Sequence, residues 1–141
     1  MTIAIKRVYD PPKPSDGFRV LVDRLWPRGL TKEKASLDLW AKEVAPSPDL
    51  RREFNHRPEK FAEFKKLYRF ELAKNPALAA FRRELKRPRV TLLFGARDPK
   101  VNHASVLADY LRQRAKRAQR KKKKPLPANK RRHAEARRRS R

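Results

Sequence analysis

Apolar and polar positions alternate along several short segments of the chain and run together in one. Phe18, Val20 and Val22 project to one side of an extended segment while Arg19, Leu21 and Asp23 project to the other, which predicts a strand opened by Gly17. Pro27 forces Trp26 into an extended conformation and donates no hydrogen bond, so this strand gives way to a loop that carries Asp23, Arg24, Trp26 and Arg28. Gly29 permits the turn that follows. Ile3, Ile5 and Val8 mark an earlier strand, ended by Asp10-Pro11-Pro12 and expected to lie beside the Phe18 strand. Leu37, Leu39 and Ala41 alternate with Asp38, Trp40 and Lys42 as a third, with Trp40 either exposed or filling a groove. The uninterrupted run Val90-Thr91-Leu92-Leu93-Phe94 reads as a strand covered on both faces, stopped at Gly95-Ala96-Arg97-Asp98.

Helical spacing fills the intervals. Thr31 can cap a turn running to Ala35, and Ser47 with Pro48 sets an N-cap and first helical position ahead of Leu50 and Phe54. Pro58 opens a longer helix whose Phe61, Phe64, Tyr68 and Leu72 form a core-facing stripe. Leu78, Phe81 and Leu85 mark another helix that ends before Pro88, and a last one starts at about Asn102 and carries Val106, Leu107, Tyr110 and Leu111. Strand, loop and helix in that order are half of a parallel α/β unit. The fold class expected is therefore α/β: a small Rossmann-like three-layer domain with a short, mainly parallel sheet over residues 1–111, followed by a basic C-terminal tail over 112–141 that is partly helical and then disordered.

Charge sharpens this division. The 141 residues hold 40 Lys and Arg against 15 Asp and Glu, a net of +25, and residues 112–141 hold 16 basic residues against one acidic, Glu135. Such an excess favours polyanionic partners. Lys121, Lys122, Lys123, Lys124, Lys130, Arg131, Arg132, Arg137, Arg138 and Arg139 are the candidate nucleic-acid contacts. The tail has no aromatic residue, so contact with phosphates and no reading of sequence is expected. The chain has no cysteine, which removes disulfide frameworks, thiol nucleophiles and thiolate metal sites. No stretch approaches about 18 apolar residues and no signal-peptide core stands at the start, so a cytoplasmic protein without a membrane partner is expected. No cofactor motif appears.

In parallel sheets the ligand crevice lies beyond the carboxyl ends of the strands. The residues there define two alternatives. Arg19, Arg24 and Arg28 either neutralise Asp16 and Asp23 as structural ion pairs, or form an anion pocket in which planar guanidinium groups grip phosphate or carboxylate oxygens and Trp26 offers a stacking face. Asn102 can cap its helix. His103 is either a hydrogen-bonded core residue or a loop-facing acid–base group. His56, in a polar loop, is the weaker candidate. Asp10, Asp16, Asp23 and Asp98 form no compact two-carboxylate motif, so no metal site is assigned.

Lys6-Arg7-Val8-Tyr9-Asp10, the stretch from Asp16 to Gly29 with its Arg24-Leu25-Trp26-Pro27-Arg28-Gly29 motif, Val90 to Ala96, and Asn102-His103-Ala104 together closely resemble the bacterial family catalogued as domain of unknown function 488, in its YeaO-like branch. The resemblance spans about Ile3 to Leu111 and implies a small cytoplasmic α/β domain without supplying a reaction. It implies that Tyr9, Arg19, Asp23, Arg24, Trp26, Arg28, Asn102 and His103 occupy motif positions, and it leaves the tail from about Gln113 as a departure.

Three functions follow. The first is a nucleic-acid-associated protein whose tail binds nonspecifically and whose domain keeps a polar pocket. The second is an enzyme acting on an anionic or phosphorylated small substrate, with Asp23 or His103 moving a proton and Tyr9, Arg19, Arg24, Trp26, Arg28 and Asn102 binding it. The third is a structural RNA-binding protein.

Overall fold

The structure is a computed structural model that describes the backbone of residues 2–123 and side chains through residue 113; Lys124 and the candidate contacts beyond it lie outside the described residues. It is a mixed α/β fold. The strands are β1 (Thr2–Arg7), β2 (Phe18–Leu21), β3 (Leu39–Trp40) and β4 (Arg89–Phe94), and the helices are α1 (Lys32–Ala35), α2 (Pro48–Phe54), α3 (Phe61–Lys74), α4 (Leu78–Glu84) and α5 (His103–Lys123). The chain divides into two units between Tyr110 and Leu111.

All strand pairs are parallel, in the order β1-β4-β2-β3. This corrects the expectation that β1 and β2 are neighbours: β4 lies between them. The apolar run from Val90 to Phe94 is buried at every residue and requires a partner on each side, whereas β1, with Lys6 and Arg7, tolerates an edge. Asp16 fastens the connection that passes over β4. Its carboxylate accepts hydrogen bonds from Lys6 of β1 at 3.0 Å and Arg19 of β2 at 2.6 Å, and its carbonyl accepts one from Thr91 of β4 at 2.7 Å. Gly17 is required at this crossing, because its φ is 68° and a Cβ would stand 2.4 Å from the Arg89 carbonyl oxygen.

The third strand is shorter than its alternation predicts. Only Leu39 and Trp40 pair with β2, although the amides of Asp38 and Ala41 extend the ladder to the carbonyls of Arg19 and Leu21, both at 2.8 Å. The caps form as their residue types require: Thr31 Oγ1 accepts from Lys34 N at 3.1 Å, and Ser47 Oγ from Leu50 N at 3.2 Å. Glu71 of α3 grips Ser47 in turn, accepting from its amide at 3.0 Å and its hydroxyl at 2.6 Å, so α2 is fixed at its N-cap. Phe64, Tyr68 and Leu72 are buried along α3, as their spacing predicts.

Candidate functional site

The sheet ladder continues one residue past β1 and β2, with Val8 N bonded to Phe94 O at 2.8 Å and Val22 N to Leu93 O at 3.0 Å. Val8 and Val22 are buried, so the next residues, Tyr9 and Asp23, emerge together at the carboxyl edge of the sheet beside Gly95. A cavity of about 310 Å³ opens there. Of the residues singled out in the sequence, Tyr9, Asp23, Arg24, Trp26, Arg28, Asn102 and His103 line it.

Asp23 forms the floor. Its Oδ2 accepts a hydrogen bond from Gly95 N at 2.8 Å, and its Oδ1 stands 2.9 Å from His103 Nε2. Gly95 makes this possible by being small, since a Cβ there would lie 3.0 Å from Asp23 Oδ2. His103 Nε2 also stands 3.1 Å from the Val22 carbonyl oxygen. Both neighbours of Nε2 are acceptors, so this nitrogen carries a hydrogen in either protonation state and Nδ1 is the ring atom left for other chemistry. One hydrogen cannot align with two acceptors. Directed at Val22, it leaves Asp23 Oδ1 buried in contact with His103 but without an aligned donor. His103 is a part-buried, hydrogen-bonded residue that borders the cavity.

Two tryptophans hold the loop that carries these groups. Trp40 Nε1 donates to the Asp23 carbonyl at 2.8 Å, and Trp26 Nε1 donates to the Leu30 carbonyl at 2.7 Å. The rings meet edge to face at 5.4 Å and pack with Leu30 and Leu37 over Val8, Leu21 and Leu93. Trp40 thus fills a groove. Tyr9 ties the same loop to the end of β1, its hydroxyl donating to the Arg28 carbonyl at 2.9 Å. Beneath His103 lies Tyr68, whose hydroxyl donates to Val44 O at 2.6 Å. Burial, reinforced by Glu71 and Asp23, raises the Tyr68 pKa far above the ordinary phenol range and keeps it neutral.

The arginines that the sequence singled out are placed differently. Arg19 is a structural cation: it is buried, pairs with Asp16, and donates to the carbonyls of Ala35 at 2.8 Å and Ser36 at 3.0 Å, away from the cavity. Arg24 lines the cavity with only long contacts, 3.3 to 3.4 Å, to the carbonyls of Ala45 and Pro46. Arg28 is exposed at the rim. Asn102 borders the cavity, but its amide is used locally, with Oδ1 capping Ser105 N at 2.9 Å and Nδ2 donating to Asp98 O at 2.8 Å. Hydrogen bonds from the amides of Val101 and Lys100 hold Asp98 below the usual carboxylate range, in the loop that opens α5.

Sequence reasoning did not single out Arg51 of α2 and gave His56 as the weaker histidine; both line the cavity with Phe54 and Phe64. Arg51 looks like an ordinary solvated helix residue, and the helix that carries it is fixed by the Ser47–Glu71 clamp and by Phe54 stacked on Phe64 at 4.3 Å. His56 left a fainter signal. It follows Asn55 in a left-handed pair, with φ of 44° and 55°, at the end of α2. No group of three or more carboxylate or imidazole side chains with metal-binding geometry occurs among the described residues, and no described helix is long and apolar enough to cross a membrane. Lys121, Lys122 and Lys123 fall on the last turn of α5.

A short parallel four-strand sheet with a cavity at its carboxyl edge places the protein in the broad class of mixed α/β domains. Residues 2–129 match the family model described as the inactive DUF488-N3 subclade, and the chain belongs to this DUF488, YeaO-like family. The match runs past Leu111, so the family pattern reaches into the segment that the resemblance had set apart. The chain is 46% identical over 113 residues to "Uncharacterized protein YeaO" of Escherichia coli (strain K12), covering 79% of this chain and 98% of that one. It is 43% identical over 109 residues to "Uncharacterized protein Rv3073c" of Mycobacterium tuberculosis (strain ATCC 25618 / H37Rv), covering 77% and 92%. No solved structure matches.

Proposed function

We propose that this protein is a nucleic-acid-associated binding protein of the cytoplasm, whose basic C-terminal segment holds DNA or RNA without sequence preference and whose cleft holds a small anion. The cleft carries the reading. Arg24, Arg28 and Arg51 line one cavity, and its single lining carboxylate, Asp23, already accepts from Gly95 N and lies 2.9 Å from His103 Nε2. Guanidinium groups beside an engaged carboxylate favour an anionic guest. The description of the family as an inactive subclade favours binding over turnover. The net charge of residues 112–141 supplies the polyanion contact. The test is a duplex titration of the full chain against a variant with Lys121, Lys122, Lys123 and Lys124 replaced by Gln, at two salt concentrations. With roughly 6–10 phosphates engaged, affinity falls about 10³–10⁵-fold between roughly 50 and 200 mM salt. Equal affinity of the two proteins at both salts removes these four lysines from the account.

A second reading rests on the 2.9 Å approach of Asp23 to His103. In it the cleft turns over an anionic substrate, and the carboxylate orients the ring so that Nδ1 moves a proton. Product formation lost in His103→Gln, with ligand binding kept, distinguishes this reading from the first.

A further inference from the structure

We infer that the anion held in the cleft is a phosphate monoester carried on a ring-sized body, as in a nucleoside monophosphate or the phosphorylated end of a nucleic-acid strand. This rests on the reading of the cleft as an anion site and goes further by naming the ligand chemistry. Charge is the first argument. Three guanidinium groups against one carboxylate leave about two positive charges at the cavity before either histidine is counted. A phosphate monoester carries about −1.5 to −2 near neutral pH and presents three acceptor oxygens, whereas a carboxylate brings one charge and two oxygens. Arginines from two separate segments, Arg24 and Arg28 after β2 and Arg51 on α2, suit the ligand with more oxygens to divide among forked donors.

Size and lining are the second argument. At about 310 Å³ the cavity far exceeds an inorganic phosphate and lies at the small end of the range for ligand sites, roughly 300–1,000 Å³. The apolar lining residues include Trp26, Pro27, Pro46, Phe54 and Phe64, which favour a flat or apolar ring over a second charged group. His56 stands with Arg51 among the lining residues, in a left-handed backbone conformation with φ of 55°.

Isothermal titration of the full-length protein decides the matter, with a nucleoside monophosphate, the unphosphorylated nucleoside, inorganic phosphate, a small dicarboxylate, and an oligonucleotide with and without a 5′-phosphate as probes. The monophosphate is expected to bind at least about tenfold more tightly than the nucleoside and the dicarboxylate. Arg24→Gln and Arg51→Gln are each expected to remove most of that preference while the basic segment stays intact. Arg51→Gln keeps the test valid should Arg24→Gln fail to fold, because Arg51 is exposed and anchors nothing in the fold. A 5′-phosphate that strengthens oligonucleotide binding only with Arg51 present supports the strand end as the source; a preference confined to the free nucleotide supports the small molecule. Equal binding of monophosphate and dicarboxylate overturns this inference and leaves the anion reading standing. No binding of any small anion, or binding that both substitutions leave unchanged, overturns both.

Discussion

Asp23 and His103 come from opposite ends of the folded domain's sequence and meet at 2.9 Å, with Gly95 N holding the other oxygen of the same carboxylate at 2.8 Å. Gly95→Ala places a Cβ 3.0 Å from Asp23 Oδ2, and Tyr9 Cε2 is next at 3.9 Å. The carboxylate must retreat from the amide it caps. A loss of about 1–3 kcal/mol in urea unfolding is expected, the range for overpacking and for an orphaned donor. Anion affinity should fall with it. An unchanged urea midpoint contradicts the contact.

Asp16 is expected to be the most sensitive aspartate for stability. Asp16→Asn leaves Arg19, 4% exposed, without its anionic partner, and breaking a buried pair costs about 3–5 kcal/mol. Burial pushes this carboxyl up, but hydrogen bonds from Lys13 N and from the side chains of Lys6 and Arg19 outweigh it and hold the pKa below the unfolded value of 3.8. Because the folded-state pKa is the lower one, the stabilisation is fully present above 3.8 and is lost as pH falls through the folded value. Urea midpoints of the wild type and Asp16→Asn should therefore lie furthest apart above about pH 5 and converge in strong acid.

The two tryptophans are the only ones in the chain, which makes fluorescence a local probe. Trp26 lines the cavity and Trp40 does not, although the rings are 5.4 Å apart. Ligand binding should change the emission of the wild type and of Trp40→Phe, and leave Trp26→Phe nearly silent. Trp40→Phe should also lose about 1 kcal/mol of stability, because the Asp23 carbonyl loses its donor.

His56→Gly separates stability from binding. The left-handed backbone at φ 55° disfavours a side chain, so glycine should raise stability by up to about 1 kcal/mol while weakening anion affinity. A loss of stability on this substitution contradicts the strain.

Much of this site could be read before the fold was known, because its parts sit where strands stop. The break after Val22 and the apolar run ending at Gly95 located two strand ends, and the capping residues Ser47, Thr31 and Asn102 act as their chemistry dictates. Strand order was not legible. Local alternation says nothing about which strand inserts between two others, and only the demand of β4 for cover on both edges decides it. The alternation of β2 was also a poor guide to exposure, since Arg19 is buried as fully as the apolar residues around it once Asp16 neutralises it. Arg51 was invisible for the opposite reason: it is exposed and periodic, and its value lies in where the Glu71 clamp on Ser47 sets its helix.

Crystals soaked in tungstate, a heavy dianionic mimic of phosphate, give the most direct view of whether arginines from two distant segments serve one anion. An anomalous peak inside the cleft, within hydrogen-bonding distance of Arg24 and Arg51 together, is the expected result. Peaks confined to surface lysines, with the cleft empty at saturating tungstate, contradict it.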